Sequence, residues 1–271
     1  MPIDKYLEKL EGIRIFSKIK LPNSISLDTE SYILLPETKE HPDILVSQTR
    51  FVYTENIESF VRSLEINPQN NDNRDSLYKN GYLGISNYDQ AIDINTALGG
   101  FTLPLNLFVE FVNKLMSGNT LDENNNPVAQ RRIEAILEDL LNVRSPARME
   151  WLNGRYNIKV KRINNQLIYS GKIKYLKFDP TSRLTEVEEP IEEDALIQEK
   201  RISLNNWLRN STKQGLPKKD VASGEFYYWP STKYLDIAYF RVDSWGTGLF
   251  FDTSSEYYDD NFGVRHARIK T

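Results

Sequence analysis

Two apolar segments joined by a short glycine-containing link constrain the fold more than any other feature of the sequence. Asn87 can cap a first helix, and Gly99 and Gly100 can end it. A second helix can begin at Pro104 and end at Gly118. Apolar residues recur at helical spacing in both segments: Ala91, Ile94 and Leu98, then Leu105, Phe108, Val109, Val112 and Leu115. The pattern predicts two consecutive helices that turn sharply between them.

Downstream, helical spacing gives way to the alternation typical of strands. Residues 128–143 predict a third amphipathic helix, and residues 154–173 predict a hairpin that turns at Asn164 and Asn165. A short helix follows with Trp207 on its buried side. From Phe226 onward, the runs "EFYYW", "DIAYFRV", "GLFFD" and "FGVRHARI" predict short strands of one small antiparallel sheet. The order of elements predicts the α+β class.

Two regions carry weaker patterns. The N-terminal part mixes a charged helix candidate with proline-punctuated extended stretches, so we expect residues 1–75 to form an arm or peripheral layer. The domain itself then covers residues 76–271. Residues 185–200 hold seven acidic positions, which we interpret as a solvated loop followed by a helix start.

Composition excludes several functional classes. The formal net charge is -4, from 34 basic and 38 acidic residues, so no overall positive field favours nucleic acid. No apolar run is long enough to cross a membrane, and the first residues include acidic positions that a signal peptide lacks. We therefore expect a protein made in the cytoplasm, without membrane insertion.

The lack of cysteine limits the chemistry further. With no cysteine and only His41 and His266, the chain can form neither disulfides nor zinc-thiolate sites. Asp259, Asp260 and Asn261 could hold a hard cation, but a polar turn is the simpler interpretation. We predict no metal and no cofactor.

The order of motifs resembles the C-type-lectin-like fold, in the bacterial and phage branch that includes formylglycine-generating-type domains and retroelement-diversified variable proteins. The similarity lies in the "LGG-x-x-LP" link at residues 98–104 and the closing "GVR" at 263–265, and it spans about residues 80–271. It implies a domain with two consecutive helices and a small antiparallel sheet. Within it, Gly99 and Gly100 would form the turn, and Gly263 would allow a close strand approach. We expect Arg265 to satisfy buried carbonyls or a carboxylate.

Two functions known in that family do not fit this sequence. The formylglycine-generating oxidase uses cysteine side chains, which this chain lacks. The tripeptides typical of calcium-dependent sugar binding ("EPN", "QPD" and "WND") are also absent from the sequence. The resemblance therefore implies a non-enzymatic protein that binds through the exposed face of its C-terminal sheet.

Aromatic, acidic and small polar residues are typical of such a face, because rigid rings supply contact area at low entropic cost. Strand alternation predicts Phe240, Val242 and Leu249 inside, with Arg241, Asp243 and Trp245 outside. The candidate ligand-binding residues are Tyr227, Trp229, Tyr234, Tyr239, Arg241, Asp243, Trp245, Tyr257, Tyr258 and Asp260.

The sequence supports one leading functional hypothesis and two alternatives. The leading one is a bacteriophage virion component, made in the host cytoplasm, whose C-terminal face contacts a host cell-surface protein or glycan, or other virion subunits, and which forms a homo-oligomer. The first alternative is an assembly scaffold of the same fold. The second is a cytoplasmic hydrolase that uses His266, although no G-x-S-x-G pattern accompanies this residue.

Overall fold

The fold was obtained as a computed structural model, which describes residues 32–71, 81–163, 166–230, 234–253 and 261–270. These residues form a mixed α+β structure with two large sheets. The helices are α1 (Glu55–Ser63), α2 (Tyr88–Ala97), α3 (Leu105–Met116), α4 (Gln130–Leu141) and α5 (Leu204–Arg209). The α+β prediction is therefore confirmed.

The strands are β1 (Tyr32–Leu35), β2 (Ile44–Arg50), β3 (Gln69–Asn71), β4 (Tyr82–Gly84), β5 (Phe101–Thr102), β6 (Leu121–Asp122), β7 (Arg148–Ile163), β8 (Gln166–Phe178), β9 (Leu184–Pro190), β10 (Lys200–Ile202), β11 (Phe226–Trp229), β12 (Tyr234–Asp243), β13 (Gly246–Thr253), β14 (Phe262–Gly263) and β15 (Arg265–Ile269). One sheet has the order β5-β15-β2-β1-β6. The other has the order β10-β11-β13-β12-β7-β8-β9, with β14 paired to β7, and β3 pairs with β4 alone.

The predicted helix pair is confirmed. The Asn87 side chain caps α2 by accepting a hydrogen bond from the Gln90 backbone N–H at 3.1 Å. Gly99 takes a φ of +74°, so it makes the turn after α2 that only glycine adopts without strain. Gly100 has a different role, because a Cβ there would lie 2.1 Å from Cε1 of His266 and 2.3 Å from the Ala267 carbonyl oxygen. The second glycine therefore allows β15 to pass beside the link.

The five-stranded sheet joins the two ends of the described chain. β15 pairs antiparallel with β2, with Ala267 opposite Val46, and also with β5. Ile33 and Val46 lie fully buried in the same apolar core as α3. The residues from β1 through α1 are thus part of the core rather than the arm predicted for residues 1–75, because β1 and β2 are buried on both faces and α1 packs in the second apolar core. Residues 1–31 lie outside the described residues.

The larger sheet differs from the small antiparallel sheet predicted from the sequence. The long hairpin of β7 and β8 adds to it, and β11 pairs parallel to β13. The closing run "FGVRHARI" also divides. Phe262 and Gly263 pair with β7, whereas Arg265–Ile269 crosses into the five-stranded sheet. Local periodicity shows that strands exist but does not show which strands they pair with.

The acidic stretch also differs from its prediction, because residues 184–190 form strand β9. Three glutamates of β9 pair with lysines of β8: Glu186 with Lys174, Glu188 with Lys172, and Glu189 with Lys177. Alternating lysines on the neighbouring strand therefore offset the clustered acidic charge.

Two apolar cores cover opposite faces of β12. Phe240 and Val242 join the core that includes α3 and α4, together with Leu249 of β13. Ile237 and Tyr239 join the second core, which includes α1 and α2. The prediction that Phe240, Val242 and Leu249 lie inside is confirmed.

A buried ionic network connects the two large sheets. Glu150 of β7 accepts two hydrogen bonds from Arg265 of β15, at 2.8 and 3.1 Å, and one from Arg148. Arg148 also pairs with Asp139 of α4 at 3.1 Å. The third guanidinium nitrogen of Arg265 donates to the Ser47 carbonyl at 2.7 Å. The prediction that Arg265 satisfies a buried carboxylate and a carbonyl is confirmed.

Gly263 makes room for a further arginine of this network. A Cβ at Gly263 would lie 2.8 Å from Cδ of Arg50. Arg50 donates to the carbonyls of Met149 and Asn261. Burial and the neighbouring Arg148 lower the pKa of Arg50 to about 10. The predicted close approach at Gly263 is therefore confirmed, and its partner is a buried arginine.

We predict that the stability of the fold falls steeply in acid. Burial raises the pKa values of Glu150 and Asp139, but the surrounding arginines outweigh it and lower both to about 2. The ordinary values are 4.5 and 3.8, so the stabilisation is complete above pH ~4.5 and is lost as the pH falls toward 2. Glu150→Gln should lower the free energy of unfolding at pH 7 by roughly 3–5 kcal/mol. Urea unfolding measures both effects, with the exposed Glu186→Gln as a control that changes little.

We also predict a large difference between two glycine substitutions. Gly100→Ala should cost about 3 kcal/mol, because the new methyl group overlaps His266 and the Ala267 carbonyl. Gly118→Ala should cost only about 1 kcal/mol, since Gly118 has a φ of +72° but its Cβ would make only an ordinary contact, 3.9 Å from Oε1 of Gln130. Equal losses in thermal unfolding would contradict the close approach of β15 to the link.

Candidate binding face

The second apolar core covers only part of its face of the larger sheet. Over β10, β11 and β13, this face carries partly exposed side chains. We call this uncovered part, with the turn at its end, the open face. It consists of Arg201, Tyr227, Trp229, Arg241, Trp245 and Phe250.

A row of aromatic rings runs from the covered part of the sheet to the open face. Trp151 is fully buried and stacks on Phe262 with ring centroids 3.8 Å apart. Tyr239 lies opposite Trp151 and is buried as well. Phe250 follows, half-buried and stacked on Tyr239, and Trp229 ends the row with 38% of its surface exposed. The buried end therefore holds the exposed end in place.

A second row combines arginine with tyrosine. Arg201 lies over the Tyr227 ring, 4.1 Å from its centroid, and donates to its hydroxyl. Arg201 also pairs with Glu225 at 3.2 Å. Across the row, Tyr227 is opposite Gly248, and Gly248 is opposite Arg241. Because Gly248 has no side chain, the Phe250 ring occupies the space between the two residues.

Asp243 fixes both Arg241 and the hairpin turn. Its Oδ2 lies 2.6 Å from Nη2 of Arg241, and its Oδ1 accepts hydrogen bonds from the N–H groups of Trp245 and Gly246. Burial lowers the pKa of Arg241, but Asp243 and Tyr239 outweigh it and raise that pKa. Asp243 is only 8% exposed. Asp243 shares the strand face of Arg241, as predicted, but its expected exposure is wrong, since the turn and the ion pair use its carboxylate.

Trp245 is the most exposed large apolar residue of the described chain. It lies in the two-residue turn between β12 and β13, and 81% of its surface is accessible. A tryptophan in such a position gains nothing for folding from its ring, whereas tryptophan is enriched among residues that dominate interfaces. The open face therefore ends in an unburied aromatic side chain.

The structure brings together Tyr227, Trp229 and Arg241, with Trp245 at the end of the same hairpin. It covers Tyr239, which was predicted as a contact residue, because α1, α2 and β14 pack on that part of the sheet. The side chain of Tyr234 lies outside the described residues, as do Tyr257, Tyr258 and Asp260.

Sequence reasoning missed two residues of the face. Phe250 could have been found, because it alternates with Leu249, which was predicted inside. Arg201 gave no local signal. Its position depends on β10 pairing with β11, and that register places Arg201 opposite Tyr227.

His266, the base of the hydrolase alternative, is buried and 1% exposed. Asn95 donates through its Nδ2 to Thr102 and to the Arg265 carbonyl, so its Oδ1 faces His266. His266 Nδ1 lies 3.0 Å from that oxygen and therefore carries the proton. A substrate has no access to this ring in the described fold. The geometry gives the hydrolase alternative no support.

The described residues contain no group of three His, Asp or Glu side chains placed to hold a metal ion. The candidate Asp259 and Asp260 lie outside them. None of the described helices has the length and apolar character needed to span a bilayer.

Comparisons with known proteins do not assign the open face. No family model matches the sequence, and no curated protein or solved structure matches it. The face is therefore interpreted from its own residues.

We predict that the two histidines titrate far apart. Burial and Arg268 lower the pKa of His266 to about 4. Burial lowers the pKa of His41 too, but hydrogen bonds to Glu110 and the Pro42 carbonyl outweigh it and raise that pKa above 6.5. Proton NMR should thus show one imidazole that titrates above pH 6.5 and one that stays neutral at pH 6. His41→Gln assigns the signals, and a His266 signal titrating near neutral pH would contradict its burial.

Proposed function

We propose that this chain is a non-enzymatic binding protein with a C-type-lectin-like fold, and that its open face contacts another macromolecule. The observation that carries the proposal is Trp245, an almost fully exposed tryptophan beside an arginine- and aromatic-rich face. Large exposed aromatic residues on a rigid support are typical of contact surfaces.

The arrangement of the face supports binding more than a structural role. Trp229 lies opposite Phe250, which stacks on the buried Tyr239, and Asp243 holds Arg241 and the turn. These side chains lose little conformational freedom when a partner covers them, because the fold already orders them. A preorganised face of this kind favours recognition of a protein or glycan surface.

The finer fold assignment is part of the same proposal. In its support, the "LGG-x-x-LP" motif forms the link between α2 and α3, and the "GVR" motif lies where the closing run enters the five-stranded sheet. The sheet that carries the open face is larger than the resemblance implies. The long β7–β8 hairpin accounts for most of the difference.

We further propose that the protein is a bacteriophage virion component whose open face is directed toward the host surface. The support comes from the sequence: a cysteine-free chain suits assembly in a reducing cytoplasm. A scaffold that uses the same face between subunits would bury Trp245 in the particle. The two functions therefore differ in the accessibility of one hairpin turn.

Labelling of intact particles tests this difference. Because the chain has no cysteine, Ser244→Cys places a single thiol in the exposed turn beside Trp245. We expect a bulky maleimide to label this thiol on assembled particles. Protection in particles combined with labelling of the free protein would instead identify a subunit contact, and absence of the chain from particles would refute the virion assignment.

Substitution of the exposed rings tests binding itself. Particles carrying Trp229→Ala and Trp245→Ala should adsorb to host cells at least about tenfold more slowly, as expected for loss of two contact residues. Met116→Ala is the matched control, since Met116 is also an exposed apolar residue but lies on α3, against the other core. Unchanged adsorption of the double variant would refute the proposal, provided that its thermal unfolding is normal.

A further inference from the structure

The β7–β8 hairpin extends beyond the sheet that carries it. β12 pairs with β7 only from Arg148 to Asn157, and β9 pairs with β8 only from Lys172 to Phe178. Beyond these limits, residues 158–163 and 166–171 have strand partners only in each other, as far as the described chain shows. An isolated two-stranded ribbon is marginally stable in water. Pairing with a further strand would therefore stabilise this part of the hairpin.

Among the described residues, the outer edge of β8 has no strand partner beyond β9, which ends at Pro190. Ile191 makes the last backbone contact, donating to the Gly171 carbonyl at 2.9 Å. In an antiparallel strand, the N–H and C=O of one residue point to the same side, and alternate residues point to opposite sides. The backbone groups of Leu167 and Tyr169 thus point to the same side as the Gly171 carbonyl, toward the open edge.

The two edges of the hairpin differ in charge. Residues 166–171 of β8, "QLIYSG", carry no charge, whereas residues 158–163 of β7, "IKVKRI", carry three basic residues. Soluble proteins usually protect exposed strand edges with charged residues, and lysine is the most common. The β7 edge and the acidic strand β9 follow this rule, but the β8 edge does not.

We propose that the free edge of β8, residues 166–170, pairs antiparallel with the same edge of a second copy of this chain. A two-fold axis perpendicular to the ribbon generates this arrangement and makes the contact self-complementary. The resulting strand order would be β7-β8 of one copy followed by β8-β7 of the other.

The charge distribution favours pairing through β8 over pairing through β7. The two basic β7 strands would be three strand spacings apart, about 14 Å, which exceeds the screening length of about 8 Å at physiological salt. Pairing through β7 would instead place the lysines and arginine of both copies about 5 Å apart. The uncharged edge is therefore the one that a second copy can approach.

A cavity at the base of the open edge adds to the contact. It has a volume of about 440 Å³, and it is lined by apolar residues (Ile158, Ile191 and Ile197) and by the charged Glu192, Glu193 and Lys219. Because the partner strand runs antiparallel, its first residue, Gln166, would arrive beside Ser170, which lines this cavity. The contact can thus combine backbone hydrogen bonds with burial of apolar surface.

This pairing does not depend on the proposed function, because the open face lies on other strands. Sedimentation equilibrium of the full chain tests it with two proline variants. Tyr169→Pro removes an N–H that points to the open β8 edge, so the dimer dissociation constant should rise at least about tenfold. Val160→Pro, directly opposite in the hairpin, removes an N–H that points to the other edge and should leave dimerisation unchanged.

Crosslinking provides a second measurement if a proline variant folds poorly. In this cysteine-free chain, Ile168→Cys should give covalent dimers with a short bifunctional maleimide, whereas Lys161→Cys, its neighbour on β7, should not. A wild-type chain that stays monomeric up to about 100 µM would overturn the proposal. Equal dimerisation of Tyr169→Pro, or preferential crosslinking at Lys161→Cys, would overturn it too.

Discussion

The fold depends on the carboxylate of Glu150, which lies between Arg148 and Arg265 away from solvent. Glu150 belongs to the larger sheet and Arg265 to the five-stranded sheet, so their hydrogen bonds connect the two layers. Four arginines (Arg50, Arg144, Arg148 and Arg265) and two carboxylates (Asp139 and Glu150) meet in this region of the described chain. Such a cluster stabilises a fold only when its geometry compensates the loss of hydration. Each arginine and carboxylate of the cluster therefore restricts where the strand, helix or loop that carries it can lie.

The path of the closing run follows from this network. Gly263 lets the chain pass over Arg50, and Arg265 then enters the five-stranded sheet beside Ser47. On the other side, Gly100 lets the helix link approach His266 and Ala267. Gly100 and Gly263 thus allow the closing run, β14 and β15, to join both sheets. As a consequence, α1, α2 and β14 are held over Tyr239 and Trp151. The open face begins where these elements end.

The open face and the β8 edge are two surfaces of different character. The open face presents aromatic rings and arginines held by buried neighbours, which suits recognition of another surface. The β8 edge presents backbone groups that pair with no strand of the described chain and carry no protecting charge, which suits pairing with an identical strand. They lie on different strands of the same sheet. A dimer through β8 would therefore leave the open faces of both copies available.

The sequence by itself determined the α2–α3 pair with its capping and glycine stops, the presence of α4 and α5, and the alternation of the C-terminal strands, because capping residues, glycine stops and apolar spacing are local signals. It also identified Arg265 and Gly263 as structural, since a charged residue within an apolar strand needs a buried partner. Only the tertiary structure decided that Glu150 is that partner, that the closing run divides between two sheets, and that β1, β2 and α1 belong to the core. It also decided that Asp243 is buried and that Arg201 covers Tyr227. These outcomes depend on which strands pair, and strand pairing is set by contacts between residues far apart in the chain.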